Sequence, residues 1–169
     1  DDSPCCTRTR DCIVNLLPET QERLNFLVRV VSKEIKHLDY ADSQAFGASL
    51  TLERVEKLEQ DPALALTLEA FTSRFCRLQD TLGDKLLPAL LNALGESANA
   101  LLINLNKAEK YGWLDSAEEW ISLRQLRNKM IHEYIEEAVI LHSALATAHQ
   151  KVEVMKVFAE NLMLQVQQL

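Results

Sequence analysis

The sequence predicts an all-α fold: an antiparallel up-and-down bundle of four main helices with short additional ones. Three observations carry this. Apolar residues recur at steps of three and four over long stretches, the period of one helix face. No stretch alternates apolar and polar residues as a half-buried strand does. Only 4 Gly and 4 Pro interrupt 169 residues, so regular elements are long and turns few. A chain of this length makes one domain. It buries roughly 70% of its unfolded surface, enough for a core without a disulfide or a structural metal.

Residues 1–17 read as an N-terminal tail with poor order, since Pro4, the adjacent Cys5 and Cys6, and mixed charges show no period. The single domain is expected over residues 18–169. Pro18 suits a first helical position, and Leu24, Leu27, Val28, Val31, Ile35 and Leu38 form one apolar face to about residue 38. Residues 39–50, with Gly47, read as a connection. Thr51 is placed to cap a short helix to Glu59, with Leu52, Val55 and Leu58 on one side.

Asp61 followed by Pro62 is a start signal, a capping acid and then proline. The stripe Leu64, Leu68, Phe71, Phe75, Leu78 and Leu82 follows. Gly83 interrupts it, and the helix resumes over residues 86–94 around Pro88. The sequence leaves open a kinked long helix or two helices. Gly95 ends this region. A helix over residues 97–111 stops at Gly112. Asp115 or Ser116 caps the next, which runs through Arg127. A last helix is expected from near Glu136 to the C-terminus.

Hydrophobic residues make up 47% and charged ones 25%, an ordinary globular balance, and the net charge is −7. A chain whose main task is to coat nucleic acid is usually basic. Non-specific nucleic-acid binding is therefore disfavoured, while a local basic site stays compatible. Cys5, Cys6, Cys12 and Cys76 form no C-x-x-C pair, so neither a zinc clip nor a redox motif is supported. Reduced thiols, the lack of a signal-like apolar segment and the lack of a bilayer-length apolar run point to a cytoplasmic protein without a membrane partner. No phosphate-binding glycine loop, serine elbow or H-E-x-x-H stands in the chain. No cofactor and no metal are expected.

The concentrated chemistry lies between Trp120 and Ile135. On an ideal helix at about 100° per residue, Leu123, Leu126 and Met130 share one side. Ser122, Gln125, Lys129 and Glu133 form a polar stripe. The remaining arc holds Trp120, Ile121, Ile131 and Ile135, interleaved with Arg124, Arg127 and Asn128 and flanked by His132 and Tyr134. Buried charge is costly unless paired, so this arc points to a partner surface, a ligand or a low-dielectric site. Asn128 and His132 are one turn apart. Arg127 and His132 diverge by about 140°, so two copies about a dyad would aim them at one atom more easily than one helix. The bland alternative is an Arg127 paired with a carboxylate of a neighbouring helix and a structural His132.

The run Arg127, Asn128, Lys129, Met130, Ile131, His132, Glu133, Tyr134 resembles the R-N-x-x-x-H-x-Y motif of the HEPN superfamily. It looks most like the branch of HepT-like toxins and nucleotidyltransferase substrate-binding subunits. The match covers eight residues; residues 39–60 and 83–113 look like additions relative to smaller members. The resemblance implies a metal-independent endoribonuclease toxin of a bacterial HEPN/MNT-type toxin–antitoxin pair, working as a homodimer on RNA. It assigns His132 and Arg127 to catalysis. His132 would move a proton at the ribose 2′-OH or the leaving 5′-oxygen, and Arg127 would stabilise phosphorane charge. Asn128 and Arg124 would support them or hold phosphate. Tyr134 would be a supporting residue, open to adenylation by a nucleotidyltransferase partner protein. The rival is a non-catalytic substrate-binding or antitoxin subunit using the same face for nucleotide or phosphate. The acidic net charge favours the rival and the complete motif favours the enzyme.

Other residues carry less. Arg74, Arg77 and Asp80 sit beside the Phe71–Phe75 stripe. Arg77 and Asp80 are candidates for the same cleft, against a local Arg77–Asp80 pair on a solvated flank, which the spacing favours. His142 and His149 share a face without a third metal ligand, and His37 reads as a helix-end dipole partner.

Overall fold

The computed structural model describes residues 16–132 and 137–169. Among them every regular element is helical: α1 Pro18–Phe46, α2 Leu52–Glu56, α3 Pro62–Asp80, α4 Leu87–Ala93, α5 Leu101–Lys110, α6 Ala117–His132 and α7 Ala138–Gln167. A 3-10 turn at Leu58–Gln60 precedes α3, and a π segment at Thr81–Leu86 joins α3 to α4. The expected all-α bundle is what the chain forms. No helix among the described residues is long and apolar enough to cross a membrane.

Side-chain pairs give the topology. Glu34, His37 and Phe46 meet Thr81, Arg74 and Phe71, so α1 and α3 run antiparallel. Ser32, Asp39 and Asp42 meet Met163, Lys156 and His149, so α1 and α7 do too. Asp80, Asp84 and Gly83 meet Arg127, Arg124 and Trp120 across α3 and α6. Trp113 and Trp120 meet Asn161 and Phe158 across α6 and α7. The four long helices thus form a closed square, up-down-up-down. Leu24, Leu27 and Val31 of α1, Leu68, Phe71 and Phe75 of α3, Trp120 of α6, and Met155, Phe158 and Leu162 of α7 fill it.

Several boundaries differ from the sequence expectation. The connection expected over residues 39–50 is helical to Phe46, because Ala41 and Ala45 carry the buried stripe of Leu38 onward. His37 is therefore mid-helix, not a dipole partner at a helix end. Its carbonyl accepts a hydrogen bond from Arg74 at 2.8 Å. The long helix after Asp61 is continuous through the π segment, where the Leu87 N–H reaches back five residues to the Leu82 carbonyl. The wide turn ends as Pro88 enters, a residue with no N–H and a ring that crowds the carbonyl four back.

The helix expected from Ser97 begins at Leu101. Buried Asn104 bonds both the N–H and the carbonyl of Asn99, at 2.9 and 3.0 Å, and so draws that backbone out of the helix. Start signals held elsewhere. Thr51, Asp61 and Ser116 each accept a backbone N–H three residues on. Gly112 ends α5 in the left-handed region, φ 75°.

Candidate functional site

The arc of α6 that carries Trp120, Arg124 and Arg127 meets the end of α3 at Asp80 and the π segment at Gly83 and Asp84. Of the alternatives the sequence left for this arc, a partner surface is excluded at Trp120. That ring is 1% exposed and packs edge-on against Phe158, with centroids 4.9 Å apart. Gly83 makes room for it: a Cβ there would stand 3.3 Å from the indole Nε1 and 3.2 Å from Leu101. Two and three turns further on, the same arc opens. Ile131 is 47% exposed, and Ser122, Gln125 and Lys129 lie on the exposed side as expected.

Where the helices part, two ion pairs join them. Arg127 Nη1 donates to Asp80 Oδ1 at 2.6 Å, with both side chains about two-thirds buried. Arg124 reaches Asp84 at 3.5 Å and is more exposed. The Asp80–Asp84 step on one helix thus answers the Arg124–Arg127 step on the other. The local Arg77–Asp80 pairing that the spacing favoured gives way to the pair between helices, Arg127 with Asp80.

Beside these pairs lies an open cleft of about 890 Å³. Its floor is α3, which contributes the small residues Thr72, Ser73 and Cys76. Glu34 of α1 stands on one side, Arg127, Met130 and Ile131 of α6 on the other, and Arg77 and Asp80 at one end, with Lys85 beyond. Buried Cys76 has its thiol pushed up to about 11, first by burial, with Asp80 adding to the rise and Arg127 opposing it. Glu34 is likewise raised above the usual carboxylate range. Burial is the chief cause. The Thr81 hydroxyl, Arg77 and Lys85 oppose it, and Asp80 adds to it.

On the other side of Arg127 lies a smaller depression of about 420 Å³, bordered by Arg124, Arg127, Asn128, Ile131 and His132. His132 and Asn128 are exposed. Arg127 therefore sits on the ridge between cleft and depression, drawn toward the cleft by Asp80, while His132 stands on the depression side. Arg127 and His132 both border this depression. Tyr134 lies outside the described residues.

Glu34, Thr81, Asp84 and Lys85 were not singled out by sequence reasoning. Glu34 left a signal, a carboxylate three residues after Val31 and four before Leu38 on a buried face. His142 and His149 are held by structural partners, the Leu50 carbonyl at 2.8 Å and Asp42 at 2.7 Å, with the His149 ring stacked on Phe46.

A scan against protein-family models, a search of curated proteins and a search of solved structures each return no match.

Proposed function

We propose that this protein is a metal-independent endoribonuclease of the toxin–antitoxin kind, active as a homodimer and governed by a nucleotidyltransferase partner. One observation carries the reading: Arg124, Arg127, Asn128 and His132 border one open depression at the end of α6. Those residue types can cleave RNA without a metal. An imidazole takes the 2′-OH proton as that oxygen bonds to phosphorus, or supplies a proton to the 5′-oxygen as its bond to phosphorus breaks. A guanidinium neutralises the charge that builds on the equatorial oxygens. Arg127 and His132 are about 140° apart on an ideal helix, so a second copy of the depression, facing the first, would complete a pair.

A second reading keeps the site and drops the chemistry. Asp80 already holds Arg127 at 2.6 Å. The carboxylates of Glu34, Glu69, Asp80 and Asp84 outnumber the cations Arg77, Lys85 and Arg127 around the cleft. Such a balance suits a subunit that binds a nucleotide more than one that grips a phosphate chain.

The two readings separate in one experiment. RNA is incubated with the protein in EDTA, with His132→Ala and Arg127→Ala alongside, and the mass in solution is measured by light scattering. The expected result is cleavage by a dimer, lowered about 100-fold or more in each variant. Equal cleavage by all three proteins points to another nuclease in the preparation. A monomer that cleaves no RNA leaves the binding subunit as the better account.

A further inference from the structure

Among the described residues, Arg77 and Lys85 are the cations of the cleft that have no hydrogen bond and no ion pair. The acids nearest them are engaged. Asp80 holds Arg127 at 2.6 Å, and Asp84 meets Arg124 at 3.5 Å. Glu34 accepts the Thr81 hydroxyl at 3.0 Å, and burial holds it above the usual carboxylate range. Glu69 stands two turns before Arg77, about 12 Å back along α3. The carboxylates around the cleft are therefore unevenly spread. At its π end, with Arg124 counted, four cations stand against three carboxylates, in a chain whose net charge is −7.

Arg77 and Lys85 also converge. About 12 Å of helix separates their backbones, yet both act on Glu34. Ser73, one turn before Arg77 and in the same lining, adds a hydroxyl without a partner. The space beside them, about 890 Å³, lies within the range of roughly 300–1,000 Å³ typical of small-molecule sites. We propose that Arg77 and Lys85 bind a phosphate group at the π end of this cleft. A guanidinium grips phosphate oxygens in pairs, and an ammonium adds a point charge. A free nucleotide and an RNA backbone both carry that group. An anion here leaves the Arg127–Asp80 pair intact, since it uses cations that have no partner. Neither Arg77 nor Lys85 borders the His132 depression. The site therefore rests on neither reading of what that depression does.

The test uses binding, so no cleavage enters it. Inorganic pyrophosphate is titrated to millimolar concentration at neutral pH and low salt, followed by calorimetry and amide shifts. Arg77→Gln and Lys85→Gln are compared with wild type. Lys110→Gln, an exposed cation of α5 outside the cleft, controls for general charge. The expected result is saturable binding with shifts around Ser73 and Arg77. Each cleft variant should weaken it about 10-fold or more, with the melting curve retained because both side chains are exposed. Lys110→Gln should leave it unchanged. No binding, an effect of only one cleft variant, or equal weakening by Lys110→Gln would overturn the proposal. Competition then names the source. Displacement of pyrophosphate by adenosine diphosphate assigns a nucleotide, and displacement by a hexaribonucleotide without terminal phosphates assigns an RNA backbone. Displacement by neither would overturn the proposal too. RNA cleavage in EDTA decides none of these outcomes, so this site and the ribonuclease reading stand or fall separately.

Discussion

Asp80 and Arg127 are 47 residues apart, and both charges act, in opposite senses, on a thiol near their contact. Cys76, one turn before Asp80, shows the effect most directly. Burial raises its thiol to about 11, while the Arg127 guanidinium works the other way and the Asp80 carboxylate offsets part of that help. A thiol with so little thiolate at neutral pH is a poor nucleophile. Iodoacetamide at pH 8 should therefore leave Cys76 unmodified in the native protein and alkylate it fully in urea. Peptide mass mapping reads the difference, and rapid native alkylation at Cys76 would contradict the burial argument. Nothing local in the sequence tells which acid an arginine will find. The Arg77–Asp80 spacing was a real local option, displaced by a partner that only the fold brings near.

At the scale of the element, Gly83 and Trp120 decide how closely α6 approaches the π segment. An alanine at 83 meets tight contacts at 3.2 and 3.3 Å but gains helix propensity of about 1 kcal/mol, so Gly83→Ala should be near neutral. Gly83→Leu has no space beyond the Cβ and should cost about 1–3 kcal/mol or more in urea unfolding. An unperturbed Gly83→Leu would show that the indole is not seated against this turn. The long stripes were legible because Leu and Phe mark a face strongly, as from Leu64 to Leu82. The end of α1 was not, because Ala41 and Ala45 are small enough to read as linker. On α6 the periodicity gave the arc but not its cover. Trp120 and Ile131 lie about 20° apart on the ideal helix, and only the packing of Phe158 and the Gly83 turn against Trp120 buries one and leaves the other exposed.

At the scale of the molecule, the fold class and the square of long helices were legible from periodicity and the scarcity of Gly and Pro. The cleft was not, since it arises from three helices whose separation no single stripe encodes. The square also has a topological consequence. α7 returns antiparallel beside α1, with residues 42, 39 and 32 facing 149, 156 and 163. By that register Leu169 falls on the order of 15 Å along the bundle from Leu16. Both residues pack against the core. The ring of helices is therefore nearly cyclic, and the bond that opens it is a matter of choice. A flexible linker of about eight residues from Leu169 to Leu16 spans the gap, and the exposed Gly95, at φ 80°, offers a place to cut. A circular permutant beginning at Glu96 should keep the helical circular-dichroism spectrum and a single cooperative melt. A molten spectrum from that permutant would mean that α1 and α7 do not close the ring as their side-chain pairs indicate.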